Sequence, residues 1–405
     1  MAKKYNCTKN GIQYFRKTKT IGHKLDGTPI KKEFYGDGEK DCDKQIEEYM
    51  NKIKDGLKID KDYITLEQLM REWLFDVMLP SKNVKSASFE KHECNYRHYI
   101  KDSEIGYLRI STITTKPIQL YYNKLYKNRE DKKISSEKIF DINKTLRLFF
   151  NYCVLEHYIK ENPCSLTKIQ IPGDADLAED NEDSEEEEIT PFCEEEVNKI
   201  IKNIKYQDNL ENTFKVAVQL DLVTGLRKGE LLALTKKDVN LDKCTLRIRK
   251  TLSLVKVFLD ENNYYRELRL ITPKTKTSIR TVHFPVNMKP ILEKYFKEQE
   301  LKHSKAGLEF NSDSLIFSTN TCKPIDPTNF SKAWQRFLKR IQLTHKKFHA
   351  LRDTYAVSLV RRGAKILDVK ELLGHSTIKT TEKYYLCAFP EDKTDAANLI
   401  NDFIL

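Results

Sequence analysis

Apolar residues recur along this chain with two different periods. Between Thr65 and about Tyr158 they fall three and four apart, so "TLEQLMREWLFDVML", "SASFEKHECNYRHYIK", "TTKPIQLYYNKLYKN" and "SSEKIFDINKTLRLFFNYCVLEHYI" read as helices. The third has a proline near its start, Ser135 is placed to cap the fourth, and Asn162-Pro163 closes the unit. Ahead of them, "GIQYFRKTKTIG" and "TPIKKEFYG" are rich in aromatic and β-branched residues, with Asp26-Gly27 as a turn signal between them. A helix near "DCDKQIEEYMNKIKDG" follows. After Thr190 the periods mix. "EEEVNKIIKNI" and "TFKVAVQLDLVTGLRKGELLAL" are helical, "KCTLRIRKTLSLV", "YYRELRLITP" and "IRTVHFP" are strand-like, and helices resume near Val286. The pattern predicts a multidomain chain: a small β-sheet plus helix (1–60), an all-α domain (61–168), a mixed α+β domain (191–388) and a short amphipathic tail helix (389–405). Docking of that tail on its own domain or on a neighbouring subunit are both open.

Residues 169–190, between the helical and mixed domains, change the reading of the charge. The chain carries a formal charge of +11, yet ten acidic residues and no basic one lie between Gly173 and Glu188, so the remainder carries about 21 positive charges. The acidic run repels itself, buries nothing and reads as an extended linker, with competition for basic surfaces as a further role. The basic remainder attracts polyanions, although an excess of lysine also serves plain solubility. The first 34 residues alone hold nine Lys or Arg against two acids. A basic sheet of that kind, with Arg16, Lys17, Lys19, Lys31 and Lys32, can lie in a DNA groove. Nine cysteines, an odd count without CxxC spacing, point to neither a disulfide framework nor a zinc site. No stretch has the apolar length of a signal peptide or a membrane span. A reducing cytoplasm fits best.

Four stretches carry candidate chemistry, and each alone has an ordinary reading. In "VTGLRKGELLAL" Gly225 ends one helix and Arg227 begins the next, where surface arginines are common. "TPKTKTSIRTV" sets Lys274 and Lys276 in a hairpin turn, a usual place for a solvated tip but also for a proton donor. "FHALRDTYAVSLV" puts His349 and Arg352 on one helical face. "LLGHSTIKTTEKYY" sets His375 after Gly374, with Tyr384 nine residues on and Tyr385 beside it.

Taken in order, "TGLRKGEL", a turn lysine, "HALRDT" and "LLGHSTIKTTEKYY" resemble the tyrosine recombinases, the phage-integrase family of site-specific DNA recombinases. The resemblance covers about residues 190–388. The front half is similar to integrases of conjugative transposons, with an arm-type DNA-binding sheet and a helical core-binding domain. It implies an integrase of a mobile element that cuts and rejoins DNA through a 3′-phosphotyrosine, without metal or ATP, for integration and excision. Tyr384 is then the nucleophile, with Tyr385 the alternative. Arg227 and Arg352 would clamp the phosphate, since two permanently charged planar guanidiniums suit its developing charge. His349 and His375 would bond its oxygens or manage the tyrosine proton. Lys276 would be the general acid, with Lys274 the alternative, and Lys274 and Arg280 are candidate DNA contacts. Glu230 would be a support. Asp353 departs from the pattern, because many relatives carry a basic residue there, and puts the local charge balance in question. The implied partners are double-stranded DNA with core and arm sites, three further copies of the chain at a Holliday junction, an excision factor and a host DNA-bending protein. The competing readings are an inactive DNA-binding regulator, which the filled positions argue against, and a type IB-like topoisomerase or resolvase.

Overall fold

The computed structural model describes residues 5–9, 11–23, 29–54, 64–81, 84–127, 134–165, 167–173, 189–206, 211–272, 279–375 and 377–388. The acidic linker, the turn with Lys274 and Lys276, and the tail beyond Ala388 lie outside them. By contacts the chain divides into two compact units, one of Met1–Asp183 with Phe258–Asn263, the other of the rest.

The first unit opens with an antiparallel sheet, β1 (Cys7–Lys9), β2 (Ile12–His23) and β3 (Pro29–Gly36), followed by α1 (Glu39–Lys54). Register decides which basic side chains meet the helix. Lys17 pairs with Phe34 and Lys19 with Lys32, so these four share one face, while Arg16, Thr18, Thr20, Lys31, Glu33 and Tyr35 share the other. Phe34 is buried against Tyr49 of α1, which identifies the covered face. The expected DNA contacts therefore divide. Lys17 is drawn to Asp43 and Glu39 at 2.7 and 3.0 Å, and the Lys32 ammonium sits 4.0 Å from the Tyr49 ring centroid. Both lie on the helix side, Lys32 exposed and Lys17 partly so. Lys19 is exposed beside them, and Arg16 and Lys31 occupy the open face, Arg16 in contact with Glu33 at 3.3 Å.

Four helices follow: α2 (Leu66–Glu72), α3 (Ser86–Asn95), α4 (Thr115–Lys127) and α5 (Ser136–Leu155). The first two run on into wider, π-helical turns at Trp73–Met78 and Tyr96–Ile100. Thr65 caps α2 in a reciprocal box with Gln68, and Ser135 caps α5 by accepting from the Lys138 N–H, as its sequence position predicts. The spacing of apolar residues turns Leu66, Leu69, Met70, Trp73, Ile139, Leu146, Phe149 and Phe150 into one core.

In the second unit come α6 (Glu194–Tyr206), α7 (Asn212–Thr224) and the short α8 (Lys228–Leu232). The strands are β4 (Val239–Asn240), β5 (Thr245–Ile248), β6 (Thr251–Phe258), β7 (Tyr264–Ile271) and β8 (Arg280–His283). β4, β5 and β8 form an antiparallel sheet, and β6 and β7 pair separately. Then follow α9 (Lys289–Lys305), α10 (Pro327–Arg340), α11 (Ala350–Arg361), α12 (Ile366–Leu373) and α13 (Lys379–Ala388). Leu220, Leu231, Leu246, Val282, Trp334 and Leu351 lie in its main core. A smaller cluster of Ala356, Val357, Val360, Val369, Leu373, Tyr384 and Ala388 ties α11, α12 and α13 together. Among the described residues no helix is long and apolar enough to cross a membrane.

Candidate active site

The site begins where α7 stops. Gly225 takes a left-handed φ of 58°, and an added Cβ there would stand 2.4 Å from the Tyr355 ring, so glycine suits the corner on both counts. The chain then re-enters helix with Arg227 as the N-cap of α8. Its backbone N–H donates to Glu230 Oε2 at 3.0 Å and its guanidinium donates to Oε1 at 3.0 Å. Glu230 also accepts from Arg280 Nη1 and Nη2 at 3.1 and 2.9 Å. Burial would raise the Glu230 carboxyl, but the hydrogen bonds of Arg280 and the charges of Arg280, Arg227 and Arg352 hold it at about 2.

Arg280 needs correction. It was expected at a DNA contact, yet its side chain is only 7 % exposed, and Nε donates to the Leu372 carbonyl at 2.8 Å. Its fork is occupied by Glu230 and by the end of α12, so it acts as a brace. Gly374, at φ 67°, passes so close that a Cβ would meet Arg280 Cδ at 3.0 Å.

Arg352, on α11, is fully buried. Nη1 donates to the Gly225 carbonyl at 2.8 Å and Nη2 to the Leu373 carbonyl at 2.6 Å. Burial, then the like charge of Arg227, lowers its pKa to about 10. His349 caps the same helix and is partly exposed, its Nε2 3.9 Å from Asp353 Oδ1. His375 follows Gly374 and is buried, with Nδ1 3.0 Å from Thr381 Oγ1. Burial, with Arg352, Arg227, Arg280 and His349 around it, lowers the imidazole to about 3, so it is neutral at physiological pH. Its ring stacks on Tyr384, centroids 5.9 Å apart and planes at 12°.

Tyr384 is 5 % exposed and Tyr385 46 %, which distinguishes the adjacent phenols. The Tyr384 hydroxyl donates to Asp353 Oδ1 at 3.0 Å, and burial, then the Asp353 charge, pushes its pKa upward against the pull of Arg352 and Arg227. Burial likewise raises Asp353, against the charge of His349 and the bonds from Tyr384 and the Thr190 N–H. A cleft of about 640 Å³, lined by Arg280, His283, Lys370, Glu371 and His375, opens beside this cluster.

Five of the sequence-predicted residues, Arg227, His349, Arg352, His375 and Tyr384, are thus brought together. Lys274 and Lys276 lie outside the described residues. Three neighbours were not anticipated as partners. Asp353 was noted only as a departure in charge. Thr381 sits six residues after His375 with no sequence signal for the bond it makes. Asp221 on α7 is buried, and burial raises its pKa well above the usual range despite the charge of Arg352 and the Leu226 backbone N–H. Among the described residues no His, Cys, Asp or Glu cluster could hold a metal.

Comparison with known proteins identifies the family. Residues 192–390 match the model of the phage integrase family. A tyrosine recombinase XerC-like protein of Caldanaerobacter subterraneus subsp. tengcongensis is 40% identical over 410 residues, covering 100% of both chains. The ICEBs1 integrase of Bacillus subtilis is 30% identical over 67% of each chain. Among solved structures, the Tn1549 transposon integrase in complex with a circular intermediate DNA superposes with a TM-score of 0.62 at 18% identity, over 83% of this chain and 99% of that one. The chain belongs to the phage integrase family, the tyrosine recombinases.

Proposed function

We propose that Tyr384 is the nucleophile of this site-specific DNA recombinase, and that Arg227 and Arg352 clamp the scissile phosphate. The reading is supported by one observation above all. The Tyr384 phenol is held in hydrogen-bond contact with Asp353 and stacked on His375, within the field of Arg227 and Arg352, while Tyr385 is exposed. In the proposed step the Tyr384 oxygen bonds to phosphorus, the bond to the 5′-oxygen breaks, and the enzyme keeps the 3′-phosphate. Negative charge grows on the non-bridging oxygens, where guanidiniums stabilise it more than in the ground state. A neutral His375 fits a hydrogen-bond role toward those oxygens, with His349 as its companion. The leaving 5′-oxygen takes a proton from Lys276, with Lys274 the alternative. Glu230 and Arg280 hold Arg227 in place.

The wider assembly is proposed from the family resemblance. Covalent storage of each cut end lets strands exchange in pairs, so four copies would act at a Holliday junction. Residues 1–60 would hold arm sites and 61–168 the core site, beside an excision factor and a host bending protein, on nucleoid DNA. The test uses nicked suicide duplexes made from the DNA flanking this gene, with adducts resistant to SDS as readout. An adduct with wild type and Tyr385→Phe but none with Tyr384→Phe is expected. Loss with Tyr385→Phe alone would move the nucleophile by one residue. No wild-type adduct on duplexes that are bound would favour a DNA-binding regulator that does not cut.

A further inference from the structure

The nucleophile's hydrogen bond points to an acid–base partner of its own. We propose that Asp353 accepts the phenolic proton of Tyr384 during strand cleavage and returns it during resealing; the inference rests on Tyr384 being the nucleophile. Four observations carry it. The Tyr384 hydroxyl already donates to Asp353 Oδ1 at 3.0 Å, within the range of a general base and its proton. The carboxylate is fixed at its other end, where Oδ2 accepts from the Thr190 N–H at 3.4 Å. It is buried at 4 % exposure. Finally, His375 is held by Thr381 and faces the Tyr384 ring as a stack, whereas the phenolic oxygen is bonded to Asp353.

The step balances. The Tyr384 O–H electron pair forms the new bond to phosphorus as its proton passes to Asp353 Oδ1. The phosphate gains one negative charge in the transition state while Asp353 loses one, so the pocket's total charge does not change. The bond to the 5′-oxygen then breaks, and that oxygen takes its proton from the general acid proposed above. In resealing, the 5′-hydroxyl returns its proton to that general acid as its oxygen attacks the phosphotyrosine, and protonated Asp353 supplies the proton that lets the phenol leave.

Burial raises the carboxyl, which strengthens it as a base, and the nearby imidazole of His349 limits that rise. The other charged or titratable groups around the pair are Arg352 on the same helix, Arg227 at the start of α8 and the neutral His375 before α13. Arg352 bonds to the Gly225 and Leu373 carbonyls, Arg227 to Glu230 and His375 to Thr381.

The experiment measures single-turnover cleavage of the nicked suicide duplex by the full chain, wild type, Asp353→Asn, Asp353→Ser and Tyr384→Phe, from pH 5 to 9. Asp353→Asn keeps an oxygen for the phenol to donate to and removes only the basicity. The expected loss is about 100-fold in rate at unchanged duplex affinity. The fall of the wild-type rate at acid pH should flatten in the variant. The deficit should persist on a duplex with a 5′-bridging phosphorothiolate, whose sulfur leaves without a proton. Incorporating fluorotyrosine at 384, which lowers the phenol's pKa, should recover part of the Asp353→Ser rate, a response that a purely structural role would not give. Asp353→Asn within threefold of wild type, or faster, with Tyr384→Phe inactive, overturns the proposal and leaves the nucleophile assignment intact. A deficit that vanishes on the phosphorothiolate also overturns it, by moving Asp353 to the leaving-group side. Wild-type adduct from Tyr384→Phe overturns the nucleophile assignment itself.

Discussion

Replacing Glu230 by Ala tests how the arginines of this site are held. Glu230 is 4 % exposed and receives two hydrogen bonds from Arg280 and two from Arg227. Its removal leaves the Arg280 guanidinium, itself 7 % exposed, buried without its counter-charge. Breaking one side of a buried pair costs about 3–5 kcal/mol. The depression of the carboxyl's pKa gives a second figure. A fall from 4.5 to about 2 corresponds to roughly 3 kcal/mol of folded-state stabilisation. The two agree within their precision. For a unit of this size, about 3 kcal/mol lowers the melting temperature by roughly 6–12 °C.

Calorimetry of the full chain, following the transition of the second unit, would read that shift for Glu230→Ala and for Glu230→Gln. Because the folded pKa lies below the unfolded one, this stabilisation is present above about pH 4.5 and lost as pH falls toward 2. The gap between wild type and Glu230→Gln should therefore shrink across that window. Glu230→Leu combined with Arg280→Met should lose less than Glu230→Ala alone, since the stranded charge leaves with its partner. Cleavage by Glu230→Ala should fall roughly 100-fold, because Arg227 is no longer positioned. A melting temperature within 2 °C of wild type, or a loss independent of pH, would refute the account of Glu230 as the electrostatic brace.

Gly225→Ala should lose about 1–3 kcal/mol from its left-handed backbone alone, and more from the Tyr355 contact; melting and adduct yield should fall together, since the Gly225 carbonyl holds Arg352. Asp221→Asn should raise the melting temperature by a few degrees at pH 8. The wild-type carboxyl has a raised folded pKa, so its stability is present below about pH 4 and lost as pH rises; the advantage of the variant should widen from pH 4 upward in the same scans. Affinity for core-site duplex should drop steeply between 50 and 200 mM salt, as counterion release requires of a basic chain contacting several phosphates; a flat titration would argue against broad phosphate contact.

Local patterns in the sequence identify the helices well, because burial of an apolar stripe at helical spacing needs no distant information. Ser135 and Gly225 could be assigned for the same reason, each acting within a few residues. The stretch "KCTLRIRKTLSLV" read as one strand, but the chain breaks between β5 and β6 at Arg249 and Lys250, where Arg249 turns to pair with Asp238. Alternation does not reveal a pairing of that kind. β1, at three residues, is too short to show a period. Arg280 was misjudged for a stronger reason. Its partner Glu230 is fifty residues away, and a basic residue at a strand start looks the same in sequence whether it faces DNA or a buried carboxylate. Asp353 and Tyr384 are thirty-one residues apart, so the contact between an unusual acid and the nucleophile emerges only on folding.

The arginines of the site differ in what neutralises them, and that difference explains how the pocket can attract a phosphate without collapsing beforehand. Glu230 pairs with Arg280 and Arg227, which fixes the frame. Arg352, the most deeply buried cation, makes its hydrogen bonds to the Gly225 and Leu373 carbonyls. Carbonyl dipoles orient a guanidinium and satisfy its N–H groups, but they do not cancel its charge. Burial first, and then the remaining positive field, lowers Arg352 to about 10 and keeps His375 unprotonated. A carboxylate directly on Arg352 would relieve that field and compete with the substrate for the same fork. Asp353 follows Arg352 in sequence, yet its oxygens are turned to Tyr384 and Thr190. A phosphodiester reaching Arg352 therefore supplies a counter-charge that folding has withheld, and each increment of negative charge on its oxygens during attack is stabilised in a setting of low dielectric. The same withholding predicts that a free inorganic anion of suitable shape should compete with DNA at this position before it affects any other part of the chain.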